Sequence, residues 1–581
     1  MQYVLDIECY QNYFLMMFVP TEGETGVFEM FNDEVTENTV PALTHNDTII
    51  TFNGIGYDMP MWSGLQRLDN QGLKDLSDDI IVNGRMWWEI SKHWGLPPIE
   101  IDHIDIMPIL PLQASLKIYG GRIHSKRLQD LPIEPSAVIT DEQRLVLRDY
   151  CEHSDCKVTW QLFHEVAPQI ELRRGLGAQY GLDLRSKSDA QIAEVVIASE
   201  YQRRTGEKLW KPDSVEPSYK YTPPTFVGFH SEVMKEKLAE ICAADFTIKE
   251  SNGQVEEPPC LKKPVNIGGV KYKMGLGGLH SVDKAGSFYS DDEYVLFDID
   301  VASYYPFIIL NAGFYPERIG PVFLDIYREI VETRIKAKRA GDKVTSATLK
   351  IVINGTFGKT GSKYSKIYAP DLMFHTTVTG QLCLLMLIEQ FTDKVVSANT
   401  DGITVRLPRA DVEKCRGMVT TWEQHTGFEM EWLEYKSVHR RDVNNYIAIT
   451  ADGKVKHKGV FAKPSVWKNP ANPIIPTAVE EYFLNGVPVD ETIRGCDDIT
   501  QFLTLRTVRG GGRWGSEVLG KSVRWYHSWL SAQTINYITN GNKVPLSDGS
   551  VPLMNLCDTL PGDVNYQWYI TEAEKLKGIM L

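Results

Sequence analysis

A chain of 581 residues, 43% hydrophobic and 24% charged, exceeds what one hydrophobic core can organise and, at roughly 150 residues per domain, predicts about four folded units. No stretch reaches the roughly 20 uninterrupted apolar residues of a membrane span, and Asp6 and Glu8 interrupt the N-terminal apolar run before it could act as a signal sequence, so a cytoplasmic protein with no membrane partner is expected. A net charge of −15 argues against a surface that coats nucleic acid but leaves room for a local basic channel; nine cysteines without a C-x-x-C pair provide neither a disulfide framework nor a zinc knuckle, so any metal is expected on carboxylates.

The first run, M-Q-Y-V-L-D-I-E, is of β type, and strand alternation puts Asp6 and Glu8 on one face. Two carboxylates aimed at one spot repel unless a cation lies between them, and hard oxygen ligands suit Mg²⁺ or Mn²⁺. A solvated strand end is the competing reading. A second apolar strand, Ile49 to Phe52, runs into N-G-I-G-Y-D, a glycine-rich turn bearing Asn53, Tyr57 and Asp58. A helix opened by a Thr140/Gln143 capping box follows, with Leu145, Val146, Val158, Leu162 and Phe163 as its apolar residues and Asp155 in its middle. This order of D-x-E, N-x-x-x-Y-D and a helix-borne Asp resembles the three motifs of the DEDD proofreading exonucleases over about residues 1 to 170. The resemblance implies an RNase H-like fold and two Mg²⁺ or Mn²⁺ ions on Asp6, Glu8, Asp58 and Asp155, with Asn53, Tyr57 and Tyr150 as auxiliary residues. One place departs: the tyrosine expected four positions before the last Asp is Cys151, and Tyr150 lies five before. At about 100° per residue of α-helix, Cys151 shares the face of Asp155 and Tyr150 points away. The segment Ser115 to Arg127, with Lys117, Arg122, His124, Lys126 and Arg127, is either a guide for a single strand or an exposed charged loop.

Farther along, V-L-F-D-I-D-V-A-S-Y-Y-P is a buried strand carrying Asp298 and Asp300 into a turn at Pro306. Fifty residues on, L-K-I-V-I-N-G-T-F-G sets Lys350 and Asn354 at i,i+4 on one helical face. Between them, Tyr327 to Ala340 and Gly341-Asp342 read as a helical hairpin with Arg334 and Lys338 one turn apart. Next, V-V-S-A-N-T-D-G-I-T-V is a β-hairpin bearing Asn399 and Asp401. These strings resemble motifs A, B and C of the family B DNA polymerases, D-x-x-S-L-Y-P, K-x-x-x-N-S-x-Y-G and D-T-D-S. The departures are Gly355 for Ser, Phe357 for Tyr and Asn399 for the first acidic residue of motif C. M-G-L-G-G-L-H, with Gly277 and Gly278, resembles the template-contacting Y-x-G-G element without its tyrosine. R-R-D-V-N-N-Y and K-H-K-G resemble the primer-holding pair, placing Tyr446 and Lys458 at the primer end, with Asn444 where the first lysine would be.

The resemblance covers about residues 1 to 460 and implies a multidomain α/β and α+β protein: an RNase H-like exonuclease domain and a right-hand polymerase whose palm holds an antiparallel sheet. The expected boundaries are 1–175 exonuclease, 176–285 linker, 286–320 and 360–460 palm, 321–359 helical fingers and 461–581 thumb. In the thumb, Arg506, Arg509, Arg513, Lys521 and Arg524 are interleaved with aromatics, a pattern that suits gripping a duplex or building a small core. Implied at the second centre are two Mg²⁺ or Mn²⁺ ions on Asp300 and Asp401, with the nucleotide met by Tyr305, Arg334, Lys338, Lys350, Asn354 and Phe357. Partners would be primer-template DNA and deoxynucleoside triphosphates, with a clamp or helicase as a candidate, and the enzyme a monomer. The chain resembles the short viral replicases, which would work in the host cytoplasm, and the short intervals from Asp300 to Lys350 and from Lys350 to Asn399 leave little room for the inserts of the protein-primed phage polymerases, so ordinary primer extension is expected. The rival readings are a polymerase-shaped DNA-binding protein disabled by Asn399, and a nuclease that does not synthesise.

Overall fold

The computed structural model describes residues 1–111, 114–282 and 284–581, and these form two units, each discontinuous in sequence, where length alone suggests about four. One unit comprises residues 1–188, 463–478 and 488–572, the other 189–462, 479–487 and 573–581.

In the first unit, β1 (Gln2–Tyr10), β2 (Tyr13–Pro20), β3 (Gly26–Phe31) and β4 (Glu34–Asn38) form an antiparallel meander. On the other side of β1, β5 (Thr48–Thr51) and β6 (Asp102–Asp105) run parallel to it, giving the order β4-β3-β2-β1-β5-β6. Both faces of the sheet are covered, so β1 reads as nearly continuous apolar sequence. Leu5, Ile7 and Cys9 pack with Phe14, Leu73 and Leu76 on one face. Val4 packs with Leu147, Cys151 and Leu162 on the other, and alternation sends Asp6 and Glu8 to that second side. The Thr140/Gln143 capping box forms as expected, with helix Asp141–Tyr150 behind it. Leu145 and Val146, expected on its apolar face, are exposed instead; Leu147 and Tyr150 turn inward, because the sheet meets the helix along that stripe.

The same unit holds a four-stranded antiparallel sheet in the order Ile535–Tyr537, Thr504–Trp514, Glu517–His527, Ser550–Pro552. It joins the N-terminal part through Leu505, which packs on Ile118 and Leu128; a Cβ on Gly121 would sit 2.6 Å from the Leu505 side chain. Arg524 corrects one expectation. It does not face a duplex but is fully buried, donating from Nε to the Leu553 carbonyl (2.8 Å), from Nη1 to Ser125 (2.9 Å) and from Nη2 to Met554 (3.2 Å). Arg524→Ala should therefore cost about 3 kcal/mol of stability, three carbonyls losing their donors, in a denaturant melt of the full chain. The exposed Arg513 replaced by Ala should leave that melt unchanged.

The second unit is built on a ten-stranded sheet: β7 (Val265–Ile267), β8 (Val270–Lys273), β9 (His280–Ser281), β10 (Gly286–Tyr289), β11 (Tyr294–Val301), β12 (Val395–Asn399), β13 (Gly402–Pro408), β14 (Met430–Asp442), β15 (Asn445–Thr450) and β16 (Val455–His457). The order is β16-β15-β14-β11-β13-β12-β9-β8-β7, with β10 also paired to β14, and every pairing is antiparallel. Val295, Phe297, Ile299 and Val301 face a core shared with helix Pro370–Phe391 and Trp422; Asp298 and Asp300 take the opposite face. Helix Pro370–Phe391 is long and apolar enough to cross a membrane by length and composition, though its apolar run is interrupted by polar residues, and 83% of its apolar window is buried in the protein. The helical hairpin is present as Val322–Arg339 and Lys343–Thr360, and Asp342 caps the second helix by accepting from the Thr345 amide (3.0 Å).

Three histidines set an acid limit on the fold. His103, His439 and His527 are each pushed by burial from 6.5 to about 4, and His527 also stacks on Trp568 at 3.5 Å. Between pH 6.5 and about 4 the unfolded chain takes up histidine protons that the folded chain refuses, so the contribution of each histidine to stability falls as pH falls, by roughly 1 kcal/mol per pH unit, while the raised carboxyls act in the opposite sense. His439→Gln should therefore lose less stability than wild type between pH 6.5 and about 4, read as the difference between the denaturant midpoints of the two chains.

Candidate functional site

Two acidic centres form, one in each unit. In the first, Asp6 and Glu8 on β1 meet Asp155, and one oxygen from each lies within 4.8 Å of the others. Asp58 opens helix Asp58–Leu65 and is buried; burial and the charges of Asp6, Asp105 and Glu8 push its carboxyl well above the usual range. Burial and the charge of Asp6 do the same to Glu8. A site that penalises its own negative charge accommodates divalent cations, and these oxygens are of the hard type that Mg²⁺ or Mn²⁺ takes. The turn that delivers Asp58 is fixed by Asp105, which accepts from the amides of Asn53 (2.9 Å) and Ile55 (3.1 Å), while Asn53 adopts a φ of 70°. Tyr57 is half-buried with its hydroxyl on Ser77 Oγ (3.0 Å).

The helix bearing Asp155 corrects a second expectation. Cys151–Cys156 is a π-helical turn, not α-helix. Hydrogen bonding at i→i+5 widens the turn so that residues five apart align, which returns Tyr150 to the side of Asp155. Lys117 pairs with Asp155, and its Nζ lies 4.4 Å from the centre of the Tyr150 ring. Cys151 also faces the site, its Sγ 3.3 Å from Asp6 Oδ2. Lys117 is therefore part of the carboxylate centre, where the sequence suggested only a strand guide. Arg122, suggested for the same role, is buried on Asn469 Oδ1 (2.7 Å) and the Val466 carbonyl (2.8 Å).

The second centre lies on β11 and the β12–β13 hairpin. Asp300 pairs in register with Gly402 and with Glu431, and the Val301 amide donates to the Asp401 carbonyl (2.8 Å). Burial, the charge of Asp298 and that of Asp401 lift the Asp300 carboxyl to about 7, against the pull of Lys456; burial lifts Asp401 as well. Asp298 is the braced member, accepting from Tyr435 Oη (2.6 Å), Lys456 Nζ (2.8 Å) and Thr404 Oγ1 (3.1 Å), and Lys456 Nζ also lies 3.9 Å from Asp300. The donor chemistry at Asp300 and Asp401 again fits divalent cations.

The hairpin is sharp. The Asp401 amide donates to the Asn399 carbonyl (2.6 Å) across Thr400, which sits at φ 52°, a strained conformation for a β-branched residue. It is held from outside: the Thr400 amide donates to the Leu279 carbonyl (2.8 Å), and a Cβ on Gly278 would lie 2.6 Å from Thr400 Oγ1. The Gly277-Gly278 element thus packs on the hairpin. Asn399 is engaged locally, accepting from Thr400 Oγ1 (3.0 Å) and donating weakly to Asn444 Oδ1 (3.4 Å).

Most other sequence candidates of this unit gather around Asp300 and Asp401. Tyr305 donates to the Gly277 carbonyl (3.2 Å) and its ring lies 4.6 Å from that of Phe357. Arg334 Nη1 donates to Ser303 Oγ (3.1 Å), and Lys338 pairs with Glu431 (3.1 Å), the cross-strand neighbour of Asp300. Lys458 draws the Asp401 carboxyl down, and Tyr446 feels Asp298, Asp300 and Asp401, which with burial lift its hydroxyl to about 12. Lys350 and Asn354 stand exposed on the helix that carries Phe357. Gly355, the departure from motif B, is a packing requirement: a Cβ there would lie 2.6 Å from the Asp189 carbonyl and 2.8 Å from Ala193. Arg513 lies in the other unit. Sequence reasoning missed Lys456, Glu431, Tyr435 and Thr404; the alternation that links Lys456 to Lys458 and Asp298 to Asp300 was the available signal.

Fold and site thus define a mixed α/β protein of two units, each with an acidic centre suited to divalent cations. No family model matches the chain. Over 74 residues, 13% of the chain, it is 38% identical to the uncharacterized mitochondrial protein ymf34 of Marchantia polymorpha, covering 96% of that protein, and it belongs to that protein's family. Over 210 residues, 33% of the chain, it is 24% identical to a DNA polymerase of Thermococcus sp. (strain 9oN-7); the match spans 26% of that polymerase, about a quarter of its length. The solved family B DNA polymerase of the hyperthermophilic archaeon Pyrobaculum calidifontis superposes with a TM-score of 0.39 at 14% identity, over 100% of this chain and 77% of that one. The chain is therefore weakly similar in sequence to a DNA polymerase.

Proposed function

We propose that the protein is a template-directed DNA polymerase of the family B type with a separate 3′→5′ trimming centre. The single observation that carries this is the second centre: Asp300 on β11 and Asp401 on the adjoining hairpin, a hundred residues apart, are near enough that the charge of Asp401 raises the Asp300 carboxyl, Lys458 and Tyr446 share the same field, and Tyr305 donates to the Gly277 carbonyl. The similarity to the Thermococcus polymerase supports the same reading. Asp300 and Asp401 would hold the divalent cations, which supply Lewis-acid stabilisation of the attacking and leaving oxygens. Lys350, Arg334 and Lys338 offer positive charge to a triphosphate, the Tyr305 and Phe357 rings wall the sugar and nascent pair, and Tyr446 and Lys458 hold the primer end. In the other unit, Asp6, Glu8, Asp58 and Asp155 would hold the cations for phosphodiester hydrolysis of a frayed end, with Tyr150 and Lys117 beside them. On this reading residues 1–175 are the exonuclease domain, 176–285 the linker, 286–320 and 360–460 the palm, 321–359 the fingers and 461–581 the thumb. The small spacing between Asp300, Lys350 and Asn399 supports ordinary primer extension, with no room for protein-priming inserts.

The test is a labelled primer annealed to a longer template, with purified full chain and Mg²⁺. Added deoxynucleoside triphosphates should lengthen the primer in template order, and withholding them should shorten it from the 3′ end. Shortening without lengthening would instead support the nuclease reading, and neither product would leave only DNA binding.

A further inference from the structure

Cys151 and Cys156 open and close the π-helical turn, and both are completely buried. Their C-x₄-C spacing would separate two side chains on an α-helix, but i→i+5 bonding aligns them. Cys151 Sγ lies 3.3 Å from Asp6 Oδ2, and one ligand atom each from Asp6, Cys151 and Cys156 lies within 4.8 Å of the other two. We propose that these three residues form a second cation site, selective for a thiophilic divalent ion such as Zn²⁺ or Cd²⁺ and distinct in chemistry from the all-oxygen group Asp6, Glu8 and Asp155.

Two sulfurs and a carboxylate oxygen are a soft, three-ligand set of the kind that Zn²⁺ completes with water, while Mg²⁺ takes oxygens and declines sulfur. On binding, both thiol protons leave to solvent and the two sulfurs bind as thiolates. Asp6 is half-buried, whereas both cysteines are completely buried. Asp6 belongs to both sets, so one consequence, which rests on the trimming activity proposed above, is that a thiophilic ion inhibits trimming by withdrawing Asp6.

The test titrates the full chain with Cd²⁺, following thiolate-to-metal charge-transfer absorbance and counting bound metal by dialysis. Wild type should bind one thiolate-ligated Cd²⁺ per chain. Cys151→Ser and Cys156→Ser should each weaken binding by about tenfold or more, Asp6→Asn should weaken it while retaining both sulfurs, and Cys383→Ser, in the other unit, should bind as wild type. Absence of the band in wild type at one equivalent, or its persistence in both Cys151→Ser and Cys156→Ser, overturns the proposal. Should a serine variant fail to fold, Asp6→Asn decides: it keeps both sulfurs and removes the charged oxygen ligand of the set, and an unchanged Cd²⁺ affinity would overturn the proposal. Trimming in Mg²⁺ alone is scored separately: a band without trimming leaves the cation site standing and removes the nuclease function, and trimming without a band does the reverse.

Discussion

Asp401→Asn is expected to reduce primer extension by about 10³-fold or more, since it removes a cation ligand where charge develops in the transition state, and to leave 3′ trimming intact. Asp6→Asn should produce the mirror image. Stability gives an independent reading of the same variant. Burial disfavours the charged form of Asp401, and Asp298 adds to that repulsion. Neutralising it should therefore leave the chain as stable as wild type, or more stable by up to about 1 kcal/mol. A carboxylate kept for structure would behave oppositely, losing stability together with activity. Gel-based extension, trimming and a denaturant melt of Asp401→Asn, Asp300→Asn and Asp6→Asn would settle which holds. Extension retained by both Asp401→Asn and Asp300→Asn would remove the polymerase function.

Gly402→Ala is expected to be nearly as severe. A Cβ at residue 402 would lie 1.8 Å from Asp300 Oδ1 and 2.9 Å from the Ile299 carbonyl, so the Asp300 carboxylate must turn out of the centre. Misplacing a cation ligand by an ångström or so should cost about 10²-fold in extension, without removing any charged group. Gly417→Ala is the matched control. It lies in helix Val412–Thr426 with nothing within 4 Å of its added Cβ, and should raise stability by up to about 1 kcal/mol while extension stays unchanged. Equal activity of Gly402→Ala and Gly417→Ala would mean that Asp300 does not need its present orientation.

The acidic residues of both centres were legible because strand and hairpin periodicity is local. D-x-E on β1 and D-x-D on β11 share a face wherever the chain is extended, and N-T-D-G between β runs is a hairpin on its own terms. Roles that depend on which face a partner covers were not legible. Arg122 and Arg524 have the composition of a nucleic-acid contact, yet lie buried on carbonyls brought to them from 344 and 399 residues away. Leu145 and Val146 fit an apolar stripe that the sheet does not meet.

By itself, then, the amino-acid order determined the strands, the capped helix, the helical hairpin and the pairing of carboxylates within each segment, since these follow from short-range geometry. Tertiary structure alone decided the π-turn that reorients Tyr150 and aligns Cys151 with Cys156, the bracing of Asp298 by Lys456 and Tyr435, and the close approaches that require glycine at 355 and 402. Each of these depends on the shape and charge of a surface supplied by distant chain, which no local pattern encodes.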